Sequence, residues 1–210
     1  ALYEGHKVAF DPKSLYEVAR ILVSPKLIQH KDIGVKAHTA YCICDILRLC
    51  APDAPYNLTE LQKIFSLFID QIALIDSPND IYYKEHYYIL EQIAYTESIA
   101  LIVDFQNVES LTIKIFRLFY KIAETFGKTN LELDFTLTKI LSTLTAELET
   151  LPSEVVDIII SRFFSPPPKS TLEGNQSLPL QSVGYQMSKA ICTDHVDIMT
   201  RHANQYFADI

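Results

Sequence analysis

The chain has 210 residues, 49% hydrophobic and 21% charged, a balance that excludes an intrinsically disordered segment and suffices for a buried core. Its formal net charge of −8 argues against the chain gripping a nucleic-acid backbone by itself, which takes a basic surface. Five glycines, with no GxGxxG or Walker-type loop, exclude the glycine-rich phosphate cradles, and no cofactor is expected.

Apolar residues recur with the helical period along almost the whole chain, and no strand-turn-strand signal interrupts them. Helices are predicted over 13–23, 25–29, 33–50, 58–75, 81–103, 108–125, 130–150, 152–164 and 183–208. Breaks fall at Pro25, at Pro52 and Pro55, at "DSPND" (76–80), at Gly127 and at Pro152. The predicted class is all-α.

The helix over 33–50 is the most informative. Ile33, Ala37, Ala40, Cys44 and Leu47 line one face, and Ile43, Ile46, Leu49 and Cys50 broaden it. That leaves a narrow polar seam of His38, Tyr41, Asp45 and Arg48, as expected of a helix sandwiched between neighbours. Cys42 and Cys44 point to different faces, which suits neither a disulfide framework nor a zinc site, so the cysteines read as small buried hydrophobes in a reducing compartment.

An elbow follows, "RLCAPDAPYNLTE" (48–60). Pro52 pushes Cys50 and Ala51 out of helical geometry, and Pro55 keeps Asp53 and Ala54 extended. Asn57 restarts a helix as its N-cap, with Glu60 as capping partner. Two readings stay open on these residues: a helix–helix turn whose Tyr56 packs on its neighbours, or a stiff partner surface that presents Tyr56.

Beyond the elbow, Leu61, Ile64, Phe65, Phe68, Ile72 and Ile75 form one apolar stripe, and Leu111, Ile115, Leu118, Ile122 and Phe126 another. Tyr82, Tyr83, Tyr87 and Tyr88, with Lys84 and His86, have the composition of a base-stacking platform, but the acidic total favours tyrosines that fill a core with their hydroxyls at its edge. The segment "SPPPKSTLEGNQSLPLQS" (165–182) reads as a flexible, proline-rich surface loop. In the closing helix, His195, Met199 and His202 share a face beside Asp194 and Asp197. They lack the converging ligand set of a metal site and read as a surface stripe.

The sequons Asn57-Leu58-Thr59 and Asn175-Gln176-Ser177 are short enough to arise by chance, and Asn57 serves better as a helix start. Every apolar run is interrupted by Asp, Glu or Lys well short of a membrane span, and no signal peptide opens the chain. The expectation is a soluble, intracellular protein with no membrane contact. Successive helices joined by short turns are what an α-solenoid requires, and periodicity alone also allows a compact bundle.

"QHKDIGVKAHTAYCICDIL" resembles the second helix of a HEAT repeat, with Asp32 at the turn acid position, Val35 and Lys36 as the apolar-basic pair, and Ala37 and Ala40 as the small packing residues. The longer "KLIQHKDIGVKAHTAYCICDILRLCAPDAPYNL" closely resembles the amino-terminal region of the precocious-dissociation-of-sisters family, the large HEAT-repeat regulators of cohesin. The string Ala51-Pro52-Asp53-Ala54-Pro55-Tyr56 is a hallmark of that family. The closing "GYQMSKAICTDHVDIMTRHANQYFADI" is similar to fungal members. The resemblance runs from about Leu22 onward and is concentrated in residues 24–58.

The resemblance implies one HEAT-like domain over 1–210, the amino-terminal part of a longer solenoid, without catalytic activity. It implies contacts with cohesin complex subunits, with the release factor Wapl and with the HEAT-repeat subunit that carries it, and support of a cohesin acetyltransferase. Family members bind the kleisin subunit mainly through later repeats. It further implies a nuclear, chromatin-associated regulator of sister-chromatid cohesion. Ala51, Pro52, Asp53, Ala54, Pro55 and Tyr56 become the expected partner-binding residues, bordered by Asp45 and Arg48, with Tyr56 as an exposed anchor.

The competing reading is a compact helical enzyme domain using the face of His38, Cys42 and Asp45. Such a set would project from mid-helix without oxyanion donors, so no catalytic residue is assigned. The two readings differ in what they require: an exposed Tyr56, or a deep pocket with converging titratable groups. The charge balance generates its own test. Duplex DNA affinity of the chain is expected to be weak and lost at modest salt; tight binding near physiological salt in a filter or anisotropy assay would reveal a basic face, built from Lys26, Lys31 and Lys36.

Overall fold

The structure, a computed structural model, describes residues 11–76, 79–126, 130–164 and 182–208. Ten α-helices follow one another: α1 Tyr16–Leu22, α2 Pro25–Ile28, α3 Ile33–Cys50, α4 Leu58–Ile72, α5 Tyr83–Thr96, α6 Val108–Phe126, α7 Leu131–Glu147, α8 Ser153–Phe164, α9 Val183–Asp194 and α10 Val196–Ala208. Tighter 3-10 turns occupy Pro12–Leu15, Ala73–Asp76 and Ser98–Asp104. No strand occurs among the described residues, and the class is all-α as the periodicity indicates. The proline-rich segment, save its last residue, lies outside the described residues, as does Asn175.

Helix starts follow from their caps. The Asp32 carboxylate accepts the Val35 N–H at 3.0 Å and opens α3. At α4, Glu60 N–H donates to Asn57 Oδ1 and Asn57 N–H donates to Glu60 Oε2, both at 3.0 Å, a reciprocal capping box. Asn130 caps α7 through the Leu133 N–H at 3.0 Å, and Ser182 caps α9 through the Tyr185 N–H at 3.2 Å.

Four predicted helices are each divided, and the first, 13–23, opens as the 3-10 turn Pro12–Leu15 before α1. The segment 58–75 finishes as a 3-10 turn from Ala73. The segment 81–103 breaks at Glu97, whose φ of 54° is left-handed, and continues as the 3-10 stretch Ser98–Asp104. There Ile99, Ile102 and Phe105 recur every three residues, the spacing that three residues per turn keeps on one buried face. The segment 183–208 divides at His195, whose ring Nε2 lies 2.8 Å from Ser142 Oγ on α7.

The helices stack in two layers. α3, α5, α7 and α9 lie side by side in that order, while α6 packs on α8 and also meets α7 and α9. The sequence suggests packing mainly between consecutive helices. Instead α3 packs more extensively on α5 than on α4, because each return helix carries the chain back and leaves alternate helices as layer neighbours. This is the HEAT-like solenoid order. Phe65, Phe68, Phe116, Phe119 and Tyr120 are fully buried between the layers. Each such ring contributes on the order of 1.5–3 kcal/mol. Phe65 meets Phe68 and Phe105 edge-on, with centroids 5.6 and 5.8 Å away. Tyr120 Oη and Ser188 Oγ, 2.7 Å apart and buried, tie α6 to α9.

His86 on α5 is fully buried, and neither ring nitrogen has a hydrogen-bond partner. Its Nε2 stands 4.0 Å from Asp80 Oδ1. Burial lowers its pKa, with the Asp80 and Glu85 charges opposing more weakly. A folded pKa below the unfolded value of about 6.5 means that the unfolded chain binds more protons as the pH falls. Stability contributed by neutral His86 is therefore complete above that value and declines as the pH drops through it. Urea unfolding between pH 7.5 and 5 should show this decline, and His86→Leu should flatten it; identical profiles for the two proteins would refute the assignment.

Candidate functional site

The elbow between α3 and α4 is shaped from within the fold. α3 ends at Cys50, Ala51 adopts an extended ψ of 140°, and the Ala51–Pro52 peptide is cis. Asp53 N–H donates to the Cys50 carbonyl at 3.0 Å, closing a turn over the helix end. Ala51, Pro52 and Asp53 form an exposed crest, while Ala54 and Pro55 are half-buried, Ala54 against the core.

Tyr56 does not present itself to solvent. It is 8% exposed and belongs to the core, and its hydroxyl is buried without a partner. Burial, with smaller contributions from Cys50 and Glu60, pushes its phenol pKa well up. The expectation of an exposed Tyr56 anchor is thus overturned, for a local reason. Tyr56 precedes the N-cap Asn57, and Leu61, also buried, stands four residues into α4. These are the positions of a hydrophobic staple, in which the ring fixes the chain's entry into the helix. The pattern Tyr-Asn-Leu-Thr-Glu-Leu carries that signal beside the capping box.

Asp45 and Arg48 sit on the polar seam of α3, where the seam meets α5. Arg48 donates to Asp45 Oδ1 through Nη2 at 2.9 Å and Nε at 3.3 Å. The Tyr88 hydroxyl donates to the same oxygen at 2.7 Å. Tyr41 stacks on Tyr88 with centroids 4.1 Å apart, and His38 meets Tyr82 edge-on at 5.8 Å. The predicted seam is therefore the docking line of α5. The tyrosine cluster of 82–88 is largely packing, half-buried against α3 or, for Tyr83 and Tyr87, stacked within α5. Gly34 is required there, because a Cβ at that position would collide with the Tyr82 ring.

The proposed enzyme face does not converge. His38 and Cys42 line a groove of about 450 Å³ with Leu22, Leu27 and Tyr82, but Asp45 is engaged with Arg48 and Tyr88 outside it. Desolvation, then the Asp45 charge, holds the Cys42 thiol above its ordinary pKa, the reverse of an activated nucleophile. In the stripe on α9 and α10, His195 is spent on Ser142, and no group able to hold a metal ion occurs among the described residues. None of the helices described is long and apolar enough to cross a membrane.

These placements make Tyr56 an internal wedge and the crest above it the accessible surface. Tyr56→Ala should cost about 3–5 kcal/mol of stability in chemical denaturation, whereas Tyr56→Phe, which removes an unsatisfied hydroxyl, should be neutral or stabilising. A Tyr56→Ala protein as stable as the parent would contradict the wedge.

Comparison with known proteins covers the whole chain. The family model "Sister chromatid cohesion protein PDS5 protein" matches residues 1–210. The Schizosaccharomyces pombe sister chromatid cohesion protein pds5 is 34% identical over 200 residues, covering 95% of this chain and 16% of that relative. The Saccharomyces cerevisiae PDS5 is 33% identical over 189 residues, covering 90% of this chain and 14% of the relative. A chain from a solved structure of the Pds5-Scc1 complex superposes with a TM-score of 0.81 at 32% identity, over 95% of this chain and 29% of that one. The chain thus spans about a sixth of the length of these curated relatives. It belongs to the PDS5 family of sister chromatid cohesion proteins.

Proposed function

We propose that this chain is a non-catalytic interaction module of a cohesin regulator, acting in the nucleus on chromatin. The observation that carries the reading is its membership of the PDS5 family, together with its likeness to a chain solved as a Pds5-Scc1 complex. Its proposed partners are cohesin complex subunits, a Wapl-type release factor and the HEAT-repeat subunit that carries it. Contacts with a cohesin acetyltransferase belong to the same reading. Through them the chain would govern cohesin maintenance, acetylation and release.

The proposed partner surface is the crest Ala51, Pro52 and Asp53 with the flanks of Ala54 and Pro55, bordered by Asp45 and Arg48. Tyr56 contributes from below by fixing the crest's shape. Two physical features support this placement. The crest is held by a turn bond, two prolines and a buried ring, so little conformational entropy remains to be lost on binding. Its polar edge is equally fixed, since Asp45 accepts from both Arg48 and Tyr88.

The test is retention of purified cohesin subunits and Wapl on the immobilised 210-residue chain. Asp53→Lys is exposed and reverses the crest's charge, so it should weaken retention by more than about tenfold with an unchanged melting temperature. Retention equal to that of the parent chain would move the partner surface away from the elbow.

A further inference from the structure

A second surface lies where α5 and α7 run side by side. Two contacts set them in parallel register. Lys139 on α7 pairs with Glu97, just past the end of α5, at 3.4 Å. About two turns earlier on each helix, Glu91 and Glu132 come close enough for their charges to act on each other. Tyr95 follows Glu91 by one turn on the same face of α5, and Leu131 and Phe135 stand either side of Glu132 along α7. Tyr95, Leu131 and Phe135 are 74%, 79% and 72% exposed, which makes this an apolar face that no element of the described fold covers.

Exposed rings and carboxylates by themselves would be a solvated face, but the adjoining seam shows what is missing from this one. Between α3 and α5, Asp45 is paired with Arg48, and Tyr41 stacks on Tyr88. Between α5 and α7 the same kinds of group recur without closure. Glu91 and Glu132 have no ion pair, and Tyr95 and Phe135 no ring contact, among the described residues. Lys139, on the same flank of α7 as Glu132, is taken by Glu97, and Arg48 by Asp45. Glu91 is half-buried; burial, and after it the Glu132 charge, raises its carboxyl pKa. Packing of α5 on α7 thus holds two like charges together, an arrangement that is destabilising until a cation enters between them.

We propose that the α5–α7 face binds an arginine-bearing segment of a partner protein, its guanidinium set between Glu91 and Glu132 and its neighbouring apolar residues against Tyr95, Leu131 and Phe135. Charge complementarity selects the cation. A planar guanidinium presents donors along two edges, which suits carboxylates on facing helices, and it stacks on aromatic rings; the compact ammonium of lysine does neither as well. The apolar flanks select a polypeptide over a free polyamine, because they leave water only against a partner that brings apolar surface of its own. A metal ion fits less well, since no group of side chains able to hold one occurs among the described residues. This surface uses no residue of the elbow and stands whether or not the elbow binds.

The experiment titrates the 15N-labelled 210-residue chain with the blocked peptide acetyl-Leu-Ala-Arg-Ala-Leu-amide, and with the same peptide carrying citrulline, a neutral isostere, in place of arginine. Saturable amide shifts should centre on residues 91–95 and 131–135, and the citrulline peptide should bind about tenfold more weakly. Glu91→Gln combined with Glu132→Gln should cause a similar loss while leaving the melting temperature unchanged or higher, because it removes a like-charge contact. Phe135→Ala, at an exposed position, should weaken binding at an unchanged melting temperature. The proposal is overturned by shifts that do not saturate or that scatter over the acidic surface, by equal binding of the citrulline peptide, or by binding that neither change weakens. A marked fall in the melting temperature of the double glutamine variant would also overturn it, by making the two carboxylates structural.

Discussion

The fold depends on the need to cover α3. Nine of its 18 residues are buried, spread over most of its circumference, so one neighbouring helix cannot remove them from water. α1, α2, α4 and α5 share the task, and α5 takes the largest part. It comes close because Gly34, Ala37 and Ala40 leave room on α3. Tyr82, lying over Gly34, and Tyr88, stacked on Tyr41, then fill the seam. Once α5 occupies that flank its own far side needs cover, which α7 supplies, and α9 in turn covers α7. A stack made this way grows by repetition and presents loops along its edges.

The same constraint decides what the elbow can offer. α4 must turn back against α3, and the connection achieves this by driving Tyr56 into the core while the prolines hold the crest outside. A ring that supports the loop cannot also be given up to a partner without unmaking the support. With the elbow as the proposed partner surface, recognition there would fall to main chain and small side chains, with the charges of Asp53, Asp45 and Arg48 at the edge. Such a surface discriminates by shape and polarity more than by apolar area, since alanine and proline bury little on contact.

Much of this was legible in the sequence, and the exceptions have physical causes. Asn57 is a local signal, since a cap is decided by a few neighbouring residues, and it opens α4 as expected; Asp32, read only as a HEAT turn acid, opens α3 in the same way. The polar seam of α3 was legible as a set of residues, although not as the contact line of α5, because a helix's own pattern does not say which neighbour brings matching polar groups. Tyr56 was misplaced because family resemblance says that a string matters without saying which of its side chains faces out. Its staple position beside Asn57 held the answer. The break at Glu97 was hidden by an apolar pattern that fits 3.6 residues per turn nearly as well as three. The unpaired hydroxyl of Thr112 left no trace, since a threonine that donates to the carbonyl four residues back has the same sequence signature.

The polar groups inside the stack divide into two kinds, and the division bears on how its surfaces relate. Asp45 with Tyr88, and Tyr120 with Ser188, are satisfied pairs that stitch one helix to another and fix their relative position. Thr112, by contrast, is buried with its hydroxyl unpaired and stitches nothing. The stitches make the frame, and the frame holds the elbow in shape. Connections also run directly between layers: Lys114 on α6 donates to Asp70 on α4 at 2.9 Å, and the 3-10 stretch Ser98–Asp104 touches α4, α6 and α7 alike. Changes in α4 and in α6 are therefore coupled through shared contacts, and their energetic effects do not simply add.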